Sequence, residues 1–118
     1  MSTRETLFAD IDTMDADKFA QHLAEDVRMR FGNAAPIHGR DACRDAWAEF
    51  CRQVDGVHHD LVDLWDTGEA GIAEAEVTYT RKDGSSVSVP VVTIYRPGGG
   101  APIEDYRIFI DLAPLTGA

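Results

Sequence analysis

Between residues 53 and 57 the apolar pattern changes its period, and this constrains the fold more than any other feature of the chain. Before the change, apolar side chains recur at three- and four-residue spacings, as in amphipathic helices. From Val57 onward they alternate, as in strands with one wet face. Leu7, Phe8, Ile11 and Met14 form the first helical stripe, opened by Ser2-x-x-Glu5 in the form of a capping box. A second short helix starts near Asp15 or Asp17, whose carboxylates suit an N-terminus, and offers Phe19, Ala20 and Leu23 to the interior. Within this helical half, Asp26–Phe31 is the exception: Val27, Met29 and Phe31 alternate with Arg28 and Arg30, which predicts a strand. Gly32-Asn33-Ala34-Ala35-Pro36 ends it. A third helix runs from about Arg40 to Gln53 on a stripe of Ala42, Cys43, Ala46, Trp47, Phe50 and Cys51. The alternating half predicts strands at about 57–66, 71–82, 86–96 and 103–112. Asp83-Gly84 supplies a hairpin turn and Pro97-Gly98-Gly99-Gly100 a loop. Helices followed by an antiparallel meander make an α+β domain, with the helices on one side of the sheet.

The 118 residues suit a single domain, 1–118, able to fold without staples. Eleven Lys and Arg face 21 Asp and Glu, a net charge of −10. No basic stripe is present to displace counterions from phosphates, so neither nucleic acid nor an anionic membrane surface is an expected partner. Apolar runs are too short to span a bilayer, and MSTRETLF, followed at once by acidic residues, does not read as a signal peptide. The expectation is a cytoplasmic protein. Cys43 and Cys51 are eight apart on one helix, a rise of about 12 Å, beyond the reach of a disulfide. With no CxxC and no HExxH, neither a metal nor a cofactor is expected.

Three segments carry a family likeness. LFADIDTMDADKFAQHLAEDVRMRFGN resembles a helix–helix–strand opening, HGRDACRDAWAEF a third helix, and VTYTRKDGSSVSVPVVTIYRP with IEDYRIFIDLAPL a closing hairpin and last strand. In this order they resemble the SnoaL-like branch of the nuclear transport factor 2-like superfamily over about residues 4–115. The resemblance implies three N-terminal helices packed in a strongly curved, mainly antiparallel sheet, a cone-shaped, cystatin-like α+β barrel with a cavity at its open end. It also implies a homodimer through the outer sheet face. It does not assign chemistry, because the superfamily holds enzymes and non-enzymes on one scaffold. The roles of ketosteroid-isomerase-like members fall here on Leu7, Phe31 and Val91, which are apolar. Those of limonene-epoxide-hydrolase-like members fall on Met29, Phe31, Glu74, Glu76 and Ile108, where the arginine, one acid and the water ligands are missing. Neither mechanism carries over.

Strand parity and the resemblance together propose a cavity lining. Leu7, Ile11, Met29, Phe31, Val89, Val91, Ile108 and Ile110 would supply its apolar wall, and Trp47 either core or wall. Such a lining suits a small hydrophobic or aromatic molecule with few polar anchors. For residues 72–80 two readings stand. The resemblance turns Glu74, Glu76 and Thr78 toward the cavity, making Glu76 a desolvated proton carrier. The apolar pattern instead buries Ala73, Ala75, Val77 and Tyr79 and leaves both glutamates in solvent. One of His58 and His59 must point inward, and the likeness favours His59, with Asp63 on its face. His22 and His38 read as surface residues. The candidate catalytic set is Glu76, His59 and Tyr106, serving isomerase, cyclase or dehydratase chemistry on a carbonyl compound without a cofactor. A binding domain for an apolar ligand, or a dimeric adaptor, fits the same residues.

Overall fold

The computed structural model describes residues 4–116, with side chains from residue 6. Helix α1 spans Arg4–Asp12 and α2 Ala16–Ala20. The chain continues through strand β1 (Leu23–Phe31), the two-residue β2 (Ile37–His38) and helix α3 (Arg40–Cys51). Strands β3 (Gly56–Asp66), β4 (Gly71–Thr80), β5 (Ser86–Arg96) and β6 (Ile103–Ile110) follow, and a single turn, α4, covers Ala113–Thr116. The period change thus marks the passage from helices to meander, and the last four strands lie within two residues of their expected ends. β2 and α4 were not expected. Ser2 of the expected capping box lies outside the described residues.

Local chemistry fixes the entry to each element. Asp15 caps α2, its carboxylate accepting from the N–H groups of Asp17 and Lys18 at 3.0 and 3.4 Å. Gly39 leads into α3 at φ +99°, a conformation that favours glycine, and its N–H donates to the Val27 carbonyl at 2.7 Å. At the Asp83-Gly84 turn, Gly84 takes φ +88° while the Asp83 carboxylate accepts from the Ser85 N–H and hydroxyl.

The six strands form one sheet in the order β2-β1-β6-β5-β4-β3. Strands β3 to β6 pair antiparallel as a meander, whereas β6 runs parallel to β1, with Phe31 beside Ile108. The curved sheet does not close: β2 and β3 are its two edges. Its concave face holds the core. Leu7, Phe8 and Ile11 of α1, Phe19 of α2 and Cys43 and Trp47 of α3 pack there against Val27, Ala75, Val77, Tyr95 and Ile103. Ala42, expected in the α3 stripe, is exposed. Cys43 is buried, Cys51 half-buried, and both are free thiols.

Two departures bear on the site. A register shift between Leu61 and Asp63 inserts an extra residue into β3, so Asp63 pairs with Glu74 and leaves the face of His59. In β4 the side chains of Ala73, Ala75, Val77 and Tyr79 are buried, while Glu74 and Glu76 are exposed. The apolar pattern therefore decides the face, and the inward placement of Glu74, Glu76 and Thr78 is corrected. Burying two carboxylates against this core would strip their hydration with no cation to answer them, and four apolar side chains would be turned into water.

Candidate functional site

Between the helices and the concave face lies a cavity of about 850 Å³, open at one end. Of the residues expected in its lining, Ile11, Met29, Phe31, Trp47, Val91, Ile108 and Ile110 are there. Among the described residues Leu7 and Val89 are buried core, 0% and 4% exposed, and not cavity wall. Thr78 stands on the convex face, sharing a 2.7 Å hydrogen bond with the Ser88 hydroxyl. Of the expected catalytic set, His59 and Tyr106 reach the cavity and Glu76 does not. Tyr106 packs edge-on against Phe19, ring centres 5.6 Å apart. At the mouth the wall passes to Gly32, Asn33, Asp111 and α4.

His59 is the polar centre of the cavity. Its side chain is 9% exposed, and its Nδ1 lies 2.6 Å from Asp12 Oδ1. The other Asp12 oxygen accepts the His59 backbone N–H at 2.8 Å, so one carboxylate fixes both ring and main chain. An ionised carboxylate is an acceptor only, so Nδ1 carries the proton and donates. In the neutral imidazole that tautomer turns Nε2 into the acceptor for whatever the cavity holds. The Phe8 ring, 5.2 Å from the imidazole, supports it from one side. His58, the alternative, is exposed and pairs with Asp60 at 3.0 Å.

Asp12 is absent from the sequence-based set, yet the chain does signal it. Helix α1 ends Asp10-Ile11-Asp12, with no basic residue in its last turn. Carboxylates at a helix C-terminus oppose the helix dipole, at a cost of about 0.3–1 kcal/mol each. Each of the two is matched to a histidine: Asp12 to His59, and Asp10 to His22 at 2.8 Å. His22 is thereby half-buried rather than a surface residue, with its side chain 13% exposed.

Tyr79 also lines the cavity, 3% exposed, its ring edge-on to Phe50. Burial pushes its phenol well above the ordinary range, and the charges of Asp12 and Cys51 add to this. At neutral pH it is a neutral hydroxyl, able to donate a hydrogen bond. Trp47, stacked on Phe50, holds a second donor. Its indole Nε1 is buried and meets no acceptor among the described residues. Burial also pushes the Cys51 thiol up to about 11, so it is no nucleophile at neutral pH. Among the described residues no three potential ligands gather as a metal site would require. The arrangement is a base held by a carboxylate in an apolar cavity, with neutral donors nearby. It can take a proton from a bound molecule and stabilise the oxygen that gains charge.

Comparison with known proteins places this geometry in context. The family model for the SnoaL-like domain matches residues 5–101. Among solved structures, a protein assigned as a SnoaL-like polyketide cyclase from Jannaschia sp. CCS1 superposes with a TM-score of 0.82 at 18% identity, covering 98% of this chain and 88% of that one. A protein with a ketosteroid isomerase-like fold from Catenulispora acidiphila DSM 44928, solved with trimethylamine, gives 0.81 at 18% identity, covering 90% and 82%. An epoxide hydrolase of M. tuberculosis, similar to limonene epoxide hydrolase, gives 0.78 at 15% identity, covering 98% and 94%. At these identities the likeness establishes the fold. No curated protein matches the chain.

Proposed function

The chain belongs to the SnoaL-like domain family, and from that premise we propose that it is an acid–base enzyme acting on a small hydrophobic or aromatic carbonyl compound, with His59 as its proton carrier. The observation that carries this reading is the 2.6 Å Asp12–His59 pair in the wall of an apolar cavity. The bound carbonyl compound lies against the apolar wall, and its acidic C–H faces His59 Nε2. His59 takes the proton. The carbonyl oxygen, now gaining charge, accepts a hydrogen bond from the Tyr79 phenol. Asp12 stabilises the imidazolium that forms. Return of the proton to another carbon isomerises the compound; attack by the enolate on a second carbonyl closes a ring, the imidazolium giving its proton to the new alkoxide; loss of a β-hydroxyl as water, protonated by the imidazolium, dehydrates it. No added cofactor is needed for these steps, because each is proton transfer plus hydrogen bonding.

Exchange of the α-protons of 2-tetralone in D2O, followed by NMR, tests the proposal. The protein should accelerate exchange over buffer, and His59→Gln should lose most of that, on the order of a hundredfold. Equal rates for variant and parent would remove His59 from the role. Saturable binding of 2-tetralone with exchange no faster than buffer would make the protein a binding domain for an apolar ligand.

A further inference from the structure

On a chain of net charge −10, three arginines gather on one small area of the convex face. Arg28 and Arg30 leave β1 on the side opposite Val27, Met29 and Phe31. The parallel register sets Arg30 beside Arg107 and Arg28 beside Asp105 on β6. The three arginines wall a cleft of about 100 Å³, completed by Gly32, Ile108 and Phe109. Their charges are only partly answered. Arg107 grips Asp105 through two hydrogen bonds of 3.0 and 3.2 Å. Arg30 gives its Nε–H to the Ala34 carbonyl at 3.1 Å, a neutral partner. Arg28, half-buried, meets no acceptor among the described residues. One carboxylate for three guanidinium groups leaves a local excess of positive charge and several N–H donors aimed at one small space.

We propose that this cleft binds a phosphate or carboxylate group. Planar guanidinium forks match the oxygens of both, and the charge-assisted bonds they form are about twice as strong as neutral ones. Gly32, Ile108 and Phe109 are walls of this cleft and of the large cavity as well. The anionic group is either a free ion or the charged end of a compound whose apolar part enters the cavity past Gly32, which borders both spaces beyond the end of β1. The second source rests on the cavity reading above.

Titration with sodium phosphate at constant ionic strength, read from the arginine Nε–Hε NMR signals, tests the site. Saturating shifts should appear at Arg28, Arg30 and Arg107 and not at Arg44 or Arg52 of α3. The double variant Arg28→Gln/Arg30→Gln should abolish saturation at Arg107. A common linear drift of all arginine signals would overturn the proposal. So would shifts that only accompany dissociation of a dimer, because the arginines would then be contacts of a second copy. Tryptophan fluorescence with 1-octanol and octyl phosphate separates the two sources. Octyl phosphate binding about tenfold tighter than octanol, with the advantage lost in the double variant, identifies the charged end of a cavity ligand. Equal binding of the two, with phosphate still saturating at the arginines, identifies a free-ion site. Phosphate saturation with no binding of either octyl compound upholds the arginine site and counts against the cavity reading alone. Unchanged octanol binding by the double variant shows that its fold is intact.

Discussion

Asp12 connects the helical half of the chain to the chemistry of the sheet. Its two oxygens hold the imidazole and the backbone N–H of His59, 47 residues away. Asp12→Asn keeps the shape but can offer an N–H where Nδ1–H needs an acceptor, which releases the ring or reverses its tautomer. Proton exchange on 2-tetralone should fall by on the order of a hundredfold, approaching His59→Gln. A variant within a factor of two of the parent would show that Asp12 does not hold the base. Cys51 gives an independent check on the packing at the end of α3. With its thiol pushed up to about 11, alkylation by iodoacetamide at pH 8 should be on the order of a hundredfold slower than for free cysteine. The raised value favours the thiol form in the folded state. That contribution to stability is intact below the pKa of an unfolded cysteine and is lost as the pH climbs through about 11. Alkylation at the rate of free cysteine would place Cys51 in solvent. At this scale the sequence is readable in parts. Strand alternation requires one of His58 and His59 to point inward and the family likeness favours His59, while the outward face of Glu74 and Glu76 follows from Ala73, Ala75, Val77 and Tyr79. The matching of Asp12 to His59 does not, because no local rule sets a helix end against a strand so far along the chain. What is legible is the anomaly of carboxylates at that helix end.

Among the elements, β4 and β5 carry the tightest packing constraint. A Cβ added to Gly71 would overlap the Tyr95 ring, which is itself 0% exposed. Gly71→Ala should therefore destabilise the fold by about 1–3 kcal/mol, seen as a lower Tm in thermal unfolding. An unchanged Tm would mean that the ring can move aside at no cost. The meander is legible because its period of two continues across recognisable turns. The bulge near Val62 is not: it inserts one residue without breaking the alternation enough to be seen, and it carries Asp63 away from the face of His59. The parallel pairing of β1 with β6 joins segments about 80 residues apart, such as Leu23 and Ile103, and rests on contacts that no local pattern encodes. β2 is two residues long, too short for alternation to register.

Over the whole molecule, the two faces of one sheet divide the work. The concave face encloses the cavity. The convex face displays Trp65, 46% exposed, in register with Ile72, on strands β3 and β4 at the side of the sheet away from the arginine cleft of β1 and β6. We propose that a second copy of the chain covers this apolar area, since aromatic and branched side chains left in water favour association. Light scattering at micromolar concentration should give twice the mass of the chain, and Trp65→Glu should return it to one. A native monomer under those conditions would contradict the pairing. No helix among the described residues is long and apolar enough to cross a membrane.

Catalysis by His59 requires that the cavity present an unprotonated imidazole nitrogen held in place by Asp12. Long-range 1H–15N NMR of His59 at neutral pH, with and without 2-naphthol, tests it without knowledge of the substrate. The phenol is a neutral ring compound whose O–H can donate to a base. The expected result is a protonated Nδ1 and an unprotonated Nε2, with the Nε2 signal shifting as 2-naphthol fills the cavity. A proton resident on Nε2 with Nδ1 bare, or an Nε2 signal unmoved by saturating ligand, would contradict it.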